Sequence, residues 1–75
     1  MKYTFGDIVV VDEKNIGVVV KTWVNQYEHA SYEVYVRLYN GIKTYEEDDI
    51  ESYLVRHKYL DEEELEYQYN AVHSL

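Results

Sequence analysis

The sequence predicts one small, mainly β domain of five short strands with an α-helix at its C-terminal end. Three observations carry that expectation. Tyr32, Val34, Val36 and Leu38 are apolar at every second position, the spacing that turns one row of a strand toward a core. Asn40-Gly41 follows, and a two-residue hairpin turn needs positive φ at both central positions, which Asn tolerates and Gly adopts freely. Residues 61–72 combine helix-start residues with apolar positions four and three apart. At 75 residues there is room for one core and one domain, spanning 1–75, with the strands over about 5–57 and the helix over about 62–72.

Taken in order, Phe5-Gly6-Asp7 reads as a turn into Ile8-Val9-Val10-Val11, whose β-branched side chains favour extended backbone. Ile8 and Val10 are expected on one face, Val9 and Val11 on the other. After the polar break at 12–15, Ile16 to Val24 is a second strand, and Gly17 within it signals a bulge or a close backbone approach. Val18 and Val20 are expected to point inward, with Val19, Lys21 and Trp23 outward and Trp23 covered by the helix. Asn25 to Ser31 is a polar loop. In the central hairpin a two-residue turn sets Tyr39 opposite Ile42, Arg37 opposite Thr44 and Tyr35 opposite Glu46. Asp48 to Ser52 is expected to make one helical turn and Tyr53 to His57 a fifth strand.

The helix has complete start signals. Asp61 caps the first turn, Glu64 reaches back to it, and Leu60 and Leu65 flank this capping box as a hydrophobic staple. Glu62 and Glu63 lie at the positive end of the helix dipole. Leu65, Tyr69 and Val72 form one stripe, which packs on the strands or, if left exposed, implies a dimer.

Charge is distributed unevenly. Residues 1–45 hold five acids and five bases, while residues 46–66 hold ten acids against Arg56 and Lys58, so the whole net charge of −8 lies in that segment. Such a balance repels a line of phosphates, and direct nucleic-acid binding is not expected. The absence of cysteine excludes disulfides, thiolate metal sites and cysteine nucleophiles. The acids lack the alternating ligands and central glycine of a calcium loop, and neither a metal nor another cofactor is expected. No apolar run approaches the about 20 residues of a membrane span. MKYTFGD has no apolar signal-peptide core, so the chain is expected to be cytoplasmic. His29, His57 and His73 accompany no nucleophile motif, no HExxH and no glycine-rich phosphate loop, and no enzymatic activity is expected.

The phrases GDIVVV at 6–11, IGVVVK at 16–21, YEVYVRLYNG at 32–41 and TYEEDDIE at 44–51 resemble the SH3-like small barrels of the Tudor and KOW group. The likeness is greatest to the short single-barrel proteins of Gram-positive bacteria and their phages. The resemblance covers about residues 5–57 and leaves the helix outside. It implies an SH3-like five-stranded small barrel with one C-terminal α-helix. Tudor barrels that read methylated side chains do so with convergent aromatics, for which ten tyrosines supply candidates. KOW-like barrels that touch RNA carry basic loops, where this chain has acidic ones.

Two surfaces are candidates for function. The outer row of the hairpin, Tyr35, Arg37, Tyr39 and Ile42, has the residue types that supply most binding energy at interfaces. It suggests a non-catalytic protein-interaction module, monomeric or weakly dimeric, whose partner is another protein. The plainer reading is that these cross-strand pairs stabilise the hairpin. The acids Glu46, Glu47, Asp48, Asp49, Glu62 and Glu63 suggest instead a DNA mimic that inhibits a DNA-binding protein, or simply a solvated face.

Overall fold

A computed structural model of the chain describes residues 1–56 and 62–73. Strands β1 (Ile8–Val11), β2 (Asn15–Val24), β3 (Ala30–Val36), β4 (Gly41–Glu46) and β5 (Glu51–Ser52) make one antiparallel sheet in the order β4-β3-β2-β1-β5. A 3-10 turn, Glu47–Asp49, joins β4 to β5, and the helical segments α1 (Tyr53–Arg56) and α2 (Glu62–His73) follow. The mainly β architecture with a helix after it is the expected one. Barrel closure is not: β4 and β5, at the two ends, share no ladder, so the sheet is open.

Alternation along β1 builds a layer on each side of the sheet. Val9 and Val11 join Val19, Tyr32, Val34, Val36 and Tyr45 on the inner face, where Tyr3 and Ile50 complete the larger core. Val10 joins Ile16 and Val72 on the outer face, with Ile8, Val18, Tyr53 and Tyr69 packed around them. Helix α2 thus covers the β1–β2 half of the outer face, and its Tyr69 and Val72 do the packing expected of its stripe. The expectations placed on His57, Leu60 and Asp61, and on the side chains of Glu62, Glu64 and Leu65, lie outside the described residues.

Strand β2 departs from the expected facing. Val19, not Val18 or Val20, is the fully buried inner residue, opposite Val34. The pairing skips Val20 and resumes at Lys21 opposite Glu33, so Val20 is the extra residue of a bulge. Gly17 is the close approach, since a Cβ there would stand 2.4 Å from Val34 Cγ1 and 2.7 Å from the Tyr35 carbonyl oxygen. Trp23 stays half-buried with the Lys21 ammonium 5.4 Å from its ring centroid, outside the cluster beneath α2.

The central hairpin turns more widely than a two-residue turn. Strand β3 ends at Val36, opposite Gly41, and the loop is Arg37 to Asn40. Backbone bonds from Tyr39 N–H to Val36 O and from Asn40 N–H to Arg37 O shape it, and Asn40 alone takes the left-handed conformation, at φ 52°. Tyr35 therefore faces Ile42 rather than Glu46, and Leu38 leaves the core row for the loop surface. The expected fifth strand at Tyr53 is also corrected. Pairing with β1 stops at Ser52, because Tyr53 turns to stack on Tyr69 of α2, centroids 4.7 Å apart.

Candidate interaction surface

Register places Ile8, Val18, Tyr35 and Ile42 side by side across the outer face. Helix α2 packs on the first two, Tyr35 is half-buried, and Ile42 remains 59% exposed. Where the helix stops covering the sheet, a groove of about 280 Å³ runs between the hairpin loop and α2, lined by Ile16, Arg37, Leu38, Tyr67, Gln68 and Ala71. Leu38 is 61% and Tyr67 75% exposed at its rims. Of the four residues expected to form a binding face, Tyr35 and Ile42 pair directly, Arg37 lines the groove, and Tyr39 points elsewhere.

The Tyr39 hydroxyl, exposed at the loop surface, accepts from Asn15 Nδ2 and donates to Asp12 Oδ2 at 3.2 Å. Asp12 Oδ2 also accepts from the Tyr45 hydroxyl at 2.6 Å, and its Oδ1 lies 3.6 Å from the Lys43 ammonium. Side chains therefore tie β4 to the end of β1 where no backbone ladder does. Burial pushes the Tyr45 phenol above its ordinary value, and the bond to the Asp12 carboxylate raises it further. Asn15 is 5% exposed, and its Oδ1 finds no donor among the described residues. Tyr35 donates to Asn40 Oδ1 at 2.7 Å, bracing the same loop from the other face.

A second set of bonds closes the opposite end. The Tyr32 hydroxyl donates to Glu47 Oε2 at 2.6 Å, the Lys2 amide donates to the same oxygen at 3.1 Å, and the Tyr3 hydroxyl donates to the Ile50 carbonyl at 3.0 Å. These bonds hold the Glu47 carboxyl below the usual carboxylate range, the Tyr32 hydroxyl contributing most and the Lys2 amide next. Burial, and then the Glu47 bond, pushes Tyr32 upward.

The acidic residues separate into different roles. Glu47 is structural, Glu46 lies 3.8 Å from His29 Nδ1, and Asp48, Asp49 and Glu63 are exposed. Neither Asp48 nor Asp49 has an ion pair among the described residues. The side chain of Glu62 lies outside them. Among the described residues no group of three or more His, Cys, Asp or Glu side chains is arranged to hold a metal, and no helix is long and apolar enough to cross a membrane.

Asp12, Asn15 and Tyr45 escape a reading of the sequence because they are far apart along it. Their only local signal is the polar break at 12–15, whose Asp12 and Glu13 adopt positive φ, 51° and 72°. Leu38 and Tyr67 escape it because the hairpin spacing assigns Leu38 to the core and Tyr67 lies off the helix stripe. Comparison with known protein families, curated proteins and solved structures finds no match to this chain.

Proposed function

We propose that the protein is a non-catalytic protein-interaction module that docks a partner protein on the part of the outer face that α2 leaves open. One observation carries this reading: Leu38 and Tyr67 stand exposed on a groove that Arg37 also lines, and Ile42 is exposed on the same face of the sheet, beside a helix that covers its β1–β2 half. Apolar and aromatic anchors with an Arg nearby are the composition of binding hot spots. The scaffold reads as an SH3-like small barrel, supported by the order with β1 between β2 and β5 and by the Tyr45–Asp12 bond across its open seam. A cysteine-free chain suits a reducing cytoplasm. The test is in-cell photocrosslinking from position 37, at the side of the groove, compared with Leu38→Ser and Ile42→Ser variants whose folds are verified. A set of crosslinked partners that both substitutions leave unchanged sinks the reading.

A second reading is favoured by Asp48 and Asp49, exposed and without ion pairs among the described residues. In it the acidic segment mimics a DNA backbone toward a DNA-binding protein. That partner would be released by competing DNA and by salt. A crosslinked partner with no affinity for DNA would eliminate it.

A further inference from the structure

We infer that the outer edge of β4 accepts an extended, basic segment of a partner protein as an added strand. This rests on the interaction-module reading but uses the sheet edge instead of the groove beside α2.

Strand β4 is the last strand at its end of the sheet. Its ladder to β3 runs without a register shift from Glu46, opposite Ser31, to Gly41, opposite Val36, and its other side carries no ladder among the described residues. Ile42, Lys43 and Thr44 are exposed in succession, and residues 42–46 contain neither Pro nor Gly. A regular edge of this kind presents a row of backbone donors and acceptors that another strand can pair with. Lys43 is the residue that would guard the edge. Its ammonium is drawn over the Tyr45 ring, 5.4 Å from the centroid, and to within 3.6 Å of Asp12 Oδ1.

Charge selects the occupant. Beside β4 lies a cleft of about 440 Å³ where Lys43, Thr44 and Tyr45 face Asp12, Glu13 and Asp49, three carboxylates against one ammonium. An adjoining hollow adds Asp48 and Glu51, with Arg56 as its cation. A strand laid along β4 brings its own side chains into this field, so Lys or Arg is favoured there and Asp or Glu repelled. A second copy of the chain is a poor occupant, because it would set one net charge of −8 against another. Ile42, on the outer face of the strand, favours an apolar neighbour on the added segment.

The probes are a short peptide alternating valine and lysine, the same peptide N-methylated at every residue so that neither of its edges can pair, and a valine–glutamate counterpart. With the isotope-labelled protein, the basic peptide is expected to shift the amide signals of residues 41–46 and slow their hydrogen exchange. The other two peptides are expected to do neither. Glu13→Gln with Asp49→Asn removes two exposed charges that take no part in the Asp12 bonds, and should weaken binding about tenfold. Equal binding of the N-methylated peptide, signals confined to other strands, or no binding of the basic peptide would each overturn the inference. So would sedimentation of the protein alone as a dimer with residues 41–46 protected, which would assign the edge to a second copy. Leu38→Ser with Tyr67→Ser should leave peptide binding unchanged. If they abolish the in-cell crosslinks while peptide binding persists, the groove and the edge are separate sites. If the crosslinks persist and the peptide still binds, the groove reading alone fails.

Discussion

Gln68 Oε1 of α2 accepts the backbone N–H of Ile16 at 2.9 Å, joining two almost fully buried residues 52 positions apart. Strand β3 ends at Val36, opposite Gly17, so Ile16 has no β3 residue beside it, and the helix supplies the missing acceptor. Apolar contacts through Tyr69 and Val72 hold α2 against the sheet without fixing its position along it. The Gln68 bond is directional and sets that position. Replacing Gln68 with Met, similar in length but unable to satisfy the amide, is expected to cost about 1–3 kcal/mol. Urea unfolding measures the loss. Faster hydrogen exchange at Ile16 than at Val10 would localise it, and an unchanged Ile16 exchange rate would refute the assigned role.

At Gly17 the constraint is space. A methyl group there would meet Val34 Cγ1 at 2.4 Å and the Tyr35 carbonyl oxygen at 2.7 Å. The Val34 side chain is fully buried and the carbonyl belongs to the ladder, so neither yields cheaply. Gly17→Ala should therefore destabilise by about 2–3 kcal/mol, although Ala favours regular structure more than Gly does. A melting temperature equal to that of the unsubstituted protein would show that β2 and β3 can separate locally.

The two faces of β1, the inner row Tyr32, Val34, Val36 and the extent of α2 were legible because each rests on a period along the chain, two for strands and about 3.6 for the helix. The hairpin register was not. Asn40-Gly41 signals a two-residue turn, yet the Tyr35 and Tyr39 hydroxyls, bonded to Asn40 and to Asp12, hold a four-residue loop open. The slip moves the partner of Tyr35 by four residues, from Glu46 to Ile42. An even shift preserves facing, so the inner row survives the error. In β2 the bulge at Val20 changes the count by one, and the expected facing of Val18 to Val20 fails with it. Bulges and long-range side-chain bonds have no period to read. The same reason hides the Asp12, Asn15, Tyr45 network.

Two tyrosines set the alkaline limit of stability. Tyr45 and Tyr32 are both raised in the folded chain, mainly by burial and then by carboxylate partners, while in the unfolded chain they titrate near pH 10. A raised folded value means the stabilisation is complete below the unfolded value and is lost as pH rises through the folded one. Unfolding free energy should hold steady up to about pH 9 and fall above about pH 10. Tyr45→Phe should reduce the slope of that fall, at a cost near neutrality of about 1 kcal/mol for the lost bond to Asp12. An ultraviolet titration in which all ten tyrosines ionise together near pH 10, with the fold intact, would contradict the account.

Glu47 sets the corresponding acid limit. Its carboxylate accepts from the Tyr32 hydroxyl and the Lys2 amide, which hold it below the usual carboxylate range. A depressed folded value contributes stability above the unfolded value, and that contribution is lost as pH falls through the folded one. Protonation removes an anionic acceptor from the bonds that keep the first three residues against the core, so loosening should begin there. Below about pH 4, exchange of the Tyr3 amide, which donates to the Tyr32 hydroxyl at 3.3 Å, should quicken before that of Val9 or Val34. Glu47→Gln keeps an oxygen acceptor but has no charge to lose. It should lower stability at neutral pH and flatten the acid limb of the pH profile. If Glu47→Gln instead retains the full acid limb, the dependence arises from the exposed acids of residues 46–66, and the Tyr32–Glu47 bond is not what ties the N-terminal segment down.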